Sequence, residues 1–173
     1  MLVVTEKIKD ILDKKGITQY RLSKLIDYNP SAIANRLRGE RPFPDDVIEK
    51  MAPVLEVSVD EIKGWIIADK YSKEVIELAI QAKKEKQYDN LISTTKIDEL
   101  LQSKNLSRTA LSKLITYSQG WLNEMIIGHE PISRSVMARM SKTLEISEDQ
   151  IKGWIMADKY SIESLEVALQ ILQ

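Results

Sequence analysis

The feature that most constrains this chain is that it repeats itself. The segment from Ile8 to Lys84 aligns without a gap with the segment from Ile97 to Gln173, and about 30 of the paired positions are identical. The closest stretches are LSKLIDY from Leu22 against LSKLITY from Leu111, and IKGWIIADKYS from Ile62 against IKGWIMADKYS from Ile151. Two copies are too few for a solenoid, which needs several stacked repeats to cover its hydrophobic faces. Each copy is therefore expected to be a compact domain of its own, and a length of 173 residues suits one or two small domains. The boundaries read as a first domain at 1–84, a linker at 85–96 and a second domain at 97–173. The polar stretch KKEKQYDN, from Lys83 to Asn90, opens the linker and reads as a continuing helix.

Within each copy the apolar residues recur at helical spacing and nowhere alternate with period two, so an all-α fold is expected. Ile8, Ile11 and Leu12 form one stripe, repeated by Ile97, Leu100 and Leu101. Thr18 caps a second helix that carries Leu22, Leu25 and Ile26 on its inner side. After the break Asp27-Tyr28-Asn29, Asn29 suits an N-cap and Pro30 the first helical position. The third helix turns Ile33 and Leu37 inward and ends near Gly39. A fourth spans roughly 45–55 with Val47, Ile48, Met51 and Leu55 inward, and Pro53 should bend or shorten it. Ser58 with Glu61 makes a capping box for a fifth, matched by Ser147 with Gln150. A sixth begins after Ser72 and again after Ser161. Trp65 and Trp154 read as core residues, and Asp69-Lys70-Tyr71-Ser72, recurring from Asp158, as a turn with a helix cap.

Several classes of function are disfavoured. The chain has no cysteine, which removes disulfides and thiolate metal sites, and its one histidine, His129, cannot build a zinc centre. Asp45, Asp46, Asp60 and Glu61 lie at helix starts, where acids serve caps and dipoles. No Gly-rich phosphate loop or nucleophile motif is present, so neither an enzyme nor a bound cofactor is expected. No run approaches the roughly 20 apolar residues of a membrane span, and the first residues do not form a signal peptide. A cytoplasmic protein is expected. The net charge of −1 argues against nucleic-acid binding only if the positive charge is evenly spread.

It is not evenly spread. Between Lys14 and Arg41 stand Lys14, Lys15, Arg21, Lys24, Arg36, Arg38 and Arg41 against only Asp27 and Glu40. The same segment carries a resemblance: TQYRLSKLIDYNPSAIANRLRGERP, from Thr18 to Pro42, is similar to the helix-turn-helix of the lambda-repressor-like (Cro/cI, XRE) family. Shared features are Thr-Gln opening the second helix, Leu-Ser within it, the polar cap before the third, Ile33, Gly39, and the basic residue and proline beyond. EVSVDEI, from Glu56, resembles the start of the family's fifth helix. The family usually has glycine where Asp27 stands. Asp tolerates positive φ there better than Thr116, its partner in the second copy. The family also often has an apolar residue in place of Arg36.

The resemblance implies two lambda-repressor-like helix-turn-helix domains in tandem, joined by a helical linker. It implies that the third helix enters the major groove of double-stranded DNA. The contacting set it implies is Thr18, Gln19, Asn29, Ser31, Ala32, Asn35, Arg36, Arg38 and Arg41. Asn35 pairs well with adenine, Ser31 with either donors or acceptors, and Ala32 with a thymine methyl. Gln19, Arg38 and Arg41 would hold phosphates, which positions the protein without reading sequence. Arg36 suits either role.

The second copy diverges in one direction. Ser31, Ala32, Asn35, Arg36, Arg38 and Arg41 become Gly120, Trp121, Glu124, Met125, Ile127 and Glu130. This removes phosphate grip, and Trp121, Met125, Ile126 and Ile127 are expected to form an apolar contact for a second copy or another protein. The expected function is a sequence-specific DNA-binding regulator that acts as a repressor in the family's usual mode, from a bacterium, phage or mobile element. It would act as a homodimer on a palindromic operator through the first repeat. Two alternatives stay open: a monomer whose repeats mimic a dimer, and a protein-binding module such as an antitoxin or an inhibitor of a defence enzyme.

Overall fold

The computed structural model describes residues 2–85, 91–127 and 129–173. Among them are twelve helices and no strand. The first six are α1 (Val3–Lys14), α2 (Gln19–Leu25), α3 (Pro30–Leu37), α4 (Asp45–Leu55), α5 (Val59–Lys70) and α6 (Lys73–Glu85). The second six are α7 (Ile92–Ser103), α8 (Arg108–Leu114), α9 (Gln119–Ile126), α10 (Arg134–Leu144), α11 (Glu148–Lys159) and α12 (Ile162–Ile171). The first five helices of each set have pairwise equal lengths of 12, 7, 8, 11 and 12 residues.

Local chemistry sets most helix ends. Thr18 accepts the amide of Arg21, Asn29 accepts those of Ser31 and Ala32, and Ser58 and Glu61 form a reciprocal capping box. Ser107, Ser118 and Ser147 cap the matching helices of the second set. The turn between second and third helices passes through positive φ in both copies, at Asp27 (49°) and Thr116 (54°). Two expectations are corrected. Of the bending or shortening expected from Pro53, shortening does not occur: α4 is as long as α10. Pro53 lies in the last turn on an exposed face, so the hydrogen bond it forgoes leaves a carbonyl open to water. Leu25 points outward and is 53% exposed, because Leu22 and Ile26 already fill the inner face.

The chain divides into two compact units, residues up to Tyr71 with Glu163–Gln173, and Ser72–Ile162. These differ from the boundaries expected at 1–84 and 97–173, because each repeat gives its sixth helix to the other unit. Tyr71 and Tyr160 adopt extended backbone (φ −128° and −118°), which ends α5 and α11 and redirects the chain. In the first unit Ser164 donates to Asp60 at 2.6 Å, and Val167 and Ile171 pack against the core. Gly64 lets α12 approach closely: a Cβ there would fall 2.5 Å from Val167 Cγ1. In the second unit Gly153 does the same for α6, where a Cβ would fall 2.8 Å from that of Leu78. Of the segment 85–96, residues 86–90 lie outside the described residues, and α7 already begins at Ile92.

The first core gathers Ile8, Leu12, Leu22, Ile33, Met51, Leu55, Ile62 and Trp65. Ile97, Leu101, Leu111, Leu122, Met140, Leu144, Ile151 and Trp154 are buried in the second unit. Each fully buried Leu or Ile contributes about 1.5–3 kcal/mol. Two polar ties lock α1 in place. Asp69, at the far end of α5, accepts the amides of Val3 (2.6 Å) and Val4 (3.0 Å). Asp158 does the same for Ile92 (2.6 Å) and Ser93 (2.9 Å). The residues preceding α1 and α7, Leu2 and Leu91, offer no side-chain cap, so the repeated aspartate supplies it from across the unit. Thr5 then donates to the carbonyl of Leu37, and Ser93 to that of Ile126, tying α1 to the end of α3 and α7 to the end of α9.

Candidate nucleic-acid interface

In the first unit α2, the Asp27–Asn29 turn and α3 present one continuous surface. Ile33 and Leu37 anchor α3 in the core, at 0% and 2% exposure. The opposite side carries exposed Ser31 and Arg38 with half-buried Asn35, and Ala32 beside them is half-buried. Thr18 and Asn29 are exposed at the two caps, Gln19 is half-buried at the start of α2, and Arg41 is exposed beyond α3. Arg38 Nη2 donates to the Asn35 side-chain oxygen at 2.5 Å, and Arg38 Nε to Glu40 at 2.6 Å. This pairing holds the Glu40 carboxyl below the usual carboxylate range and raises the Arg38 guanidinium further. Both groups are exposed, so the pair is weak and open to exchange for a phosphate.

Arg36, expected in the contacting set, is half-buried. Its guanidinium lies 5.2 Å from the centre of the Tyr28 ring, and Nη1 donates to the carbonyl of Ala32 at 3.1 Å. Its Nε is buried without a hydrogen-bond partner. The matching Met125 is 5% exposed. Lys15 is also engaged internally, with Glu56 at 2.8 Å, as Lys104 is with Glu145 at 2.7 Å. The structure adds Arg21 and Lys24, both exposed on α2, with Lys24 5.5 Å from the centre of the Tyr20 ring. They belong to the basic run visible in the sequence. Their place on the surface follows from Leu22 and Ile26 filling the inner side of α2.

The matching surface of the second unit differs in kind. Trp121 is 53% exposed, but Met125 and Ile126 are buried at 5% and 0% and Ile127 is half-buried. The expected apolar contact is therefore corrected. Met125 and Ile126 follow Leu122 at the three- and four-residue spacing that faces the core. The large apolar side chains left exposed between α8 and the start of α9 are Leu114 (59%), Tyr117 (36%) and Trp121. Arg108, in the place of Gln19, is held bidentately by Asp98 with both contacts at 2.7 Å, and by Asn123 at 3.2 Å. Glu124 accepts from or is bridged to His129 Nδ1 at 3.0 Å. Among the described residues no group of acids and histidine is arranged to hold a metal ion, and no helix is long and apolar enough to cross a membrane.

No curated protein and no solved structure matches the chain. Residues 8–62 match the Helix-turn-helix family model, from α1 into the first turn of α5. The described residues are thus all helical where they are regular, and residues 8–62, the segment that contains α2, its turn and α3, are similar to the Helix-turn-helix family.

Proposed function

We propose that the protein is a sequence-specific regulator that binds double-stranded DNA through the first unit and represses transcription. The observation that carries this reading is the division of α3: Ile33 and Leu37 are buried while Ser31, Asn35, Arg38 and the following Arg41 lie toward solvent. Such a helix offers amide and hydroxyl groups to base edges and guanidinium groups to phosphates. Thr18, Gln19 and Asn29 lie at the helix starts, where free amides and polar side chains meet the phosphate backbone. In this reading the protein works in the cytoplasm of a bacterial cell, encoded by the host or by a phage or mobile element. A homodimer places two α3 helices on a palindromic operator, about one helical turn apart. The second unit contributes little grip on DNA, since Arg108 is paired with Asp98 and the places of Arg38 and Arg41 hold Ile127 and Glu130.

Selection from random duplexes, read by gel shift, tests this. The wild-type chain is expected to enrich a two-fold symmetric site, and Asn35→Ala with Arg38→Ala to lose it. Each lost base contact should cost about 1–3 kcal/mol. Failure to bind any duplex at low ionic strength would refute the assignment. A second reading, a protein-binding module on a helix-turn-helix scaffold, is favoured by the exposed Trp121. It predicts that the same double substitution leaves activity intact.

A further inference from the structure

We infer that a cavity of the first unit, set between the start of α1, the chain leaving α3 and the end of α5, binds a small organic carboxylate with an apolar body. The cavity has a volume of about 380 Å³, within the range of small-molecule sites and far too small for a helix or a duplex. Leu2 and Val4 on the α1 side, Phe43 ahead of α4 and Ile66 on α5 give it apolar walls. Gly39, at φ 78°, lets the chain turn back past the Leu2 side chain, which occupies the space a Cβ would need there. These walls suit a hydrocarbon or aryl body.

The charged part of the lining sets the head group. Arg36, Arg41 and Lys70 stand there against Glu40 and Asp69, a surplus of one positive charge that suits a monoanion. Both acids are already committed, Glu40 to Arg38 and Asp69 to the amides of Val3 and Val4. Arg36 is not answered in the same way. Its one hydrogen bond runs from Nη1 to the Ala32 carbonyl, its Nε is buried without a partner, and no carboxylate pairs with it among the described residues. A desolvated donor left unanswered is costly, and the remaining edge of a guanidinium fork matches the two oxygens of a carboxylate. Arg41 likewise has no ion pair among the described residues. The second copy shows that these two arginines are not needed for folding. It keeps the apolar character of Leu2, Phe43 and Ile66 as Leu91, Ile132 and Ile155, and keeps the aspartate cap as Asp158, yet it has Met125 and Glu130 in place of Arg36 and Arg41. Arg41 also stands on the proposed DNA face. An occupant that pairs with it competes with a phosphate and lowers affinity for duplex; this consequence, unlike the site itself, rests on the regulator reading.

Methyl NMR titration of the full chain tests the site with three probes, each taken to about 10 mM: hydrocinnamate, its neutral counterpart hydrocinnamyl alcohol, and inorganic phosphate. Hydrocinnamate should give saturable shifts at the methyls of Leu2, Val4 and Ile66. The alcohol, which lacks the charge, and phosphate, which lacks the body, should each bind at least about 10-fold more weakly. Arg36→Met installs the residue that the second copy buries, and should bring the acid down to the affinity of the alcohol. That fall in the acid-to-alcohol ratio, to about one, separates a lost charge contact from a loosened fold, which would weaken both probes alike. Arg41→Glu, at an exposed position, should lower the same ratio and serves if Arg36→Met does not fold. The inference is overturned if none of the three methyl groups responds to hydrocinnamate, if the alcohol or phosphate binds as tightly, or if neither substitution lowers the ratio. Gel shifts with and without hydrocinnamate read the coupling, and affinity for duplex should fall by about 3-fold or more. A chain that takes up the acid but binds no duplex sinks the regulator and upholds the cavity.

Discussion

Gly64→Ala tests the exchange of sixth helices through its sign. On an open helix face, alanine in place of glycine stabilises by about 1 kcal/mol, since glycine loses more backbone freedom on folding. Gly64 is not on an open face. An added Cβ would lie 2.5 Å from Val167 Cγ1, 2.6 Å from Val167 Cβ and 3.0 Å from the carbonyl oxygen of Ser164, where ordinary contact begins at 3.4 Å. Two of these atoms are the Cβ and backbone of α12, so rotamer changes cannot relieve the overlap and the helix must retreat by about 1 Å. Overpacking of this kind costs about 1–3 kcal/mol or more. Set against the propensity gain of about 1 kcal/mol, the net loss should reach about 2 kcal/mol. For a chain of this size the expected fall in Tm is then up to roughly 8 °C. Gly120→Ala is the internal control: nothing but the Ser118 hydroxyl, at 3.9 Å, lies near it, so that change should be neutral or stabilising. Hydrogen exchange then locates the damage. Gly64→Ala should speed exchange in α5 and α12, and Gly153→Ala in α11 and α6, across sequence separations of about a hundred residues in the first case. A stabilised Gly64→Ala protein, or exchange quickened only within Ser72–Ile162, would refute the assignment of α12 to the first unit.

Four further outcomes follow from the geometry. Asp69→Ala removes the acceptor for two amides at the start of α1 and should destabilise the chain by about 1–2 kcal/mol in urea titrations, with the loss centred on the first unit. Thr116→Gly relieves a β-branched residue held at φ 54° and should raise stability by about 1 kcal/mol; no gain by calorimetry would mean that the turn takes another conformation. Glu40→Gln releases Arg38 and removes a negative charge from the proposed DNA face, so affinity in a low-salt gel shift should rise by about 3- to 10-fold and the advantage should shrink as salt increases. For the Glu145–Lys104 pair, the depressed carboxyl means that its contribution is present above the unfolded-state value and lost as pH falls through the lower folded-state value; Lys104→Met should therefore flatten the acid limb of the stability curve.

Much of the local structure could be read directly. Thr18, Asn29 and Ser58 are side chains that compete for backbone amides only over a few residues, so their capping roles follow from near neighbours. The inner faces of α3 and α4 were likewise visible, because Ile33 and Leu37, or Val47, Ile48, Met51 and Leu55, repeat at helical spacing. The candidate site was less legible. Arg36 lies on a helix rich in exposed polar groups, and its contacts with the Tyr28 ring and the Ala32 carbonyl could not be read from spacing. Met125 looked like surface because it stands in the place of Arg36, whereas Ile126 stands in the place of Leu37, whose inward spacing already marked that position as core. Pro53 does not cut α4 short, because the cost of a missing amide depends on whether water reaches the carbonyl it leaves.

What the sequence alone determined is the repeated order of helices, their caps, and the contrast in charge between the two helix-turn-helix segments. These depend on residue type and short-range spacing, which no distant contact alters. The tertiary structure alone decided which unit receives each sixth helix, that Asp69 and Asp158 cap helices 65 or 66 residues away, and which members of an apolar or basic cluster stay exposed. Those outcomes depend on contacts between residues far apart in the chain. Helical periodicity says which side of a helix seeks burial, and only the packed structure says what buries it.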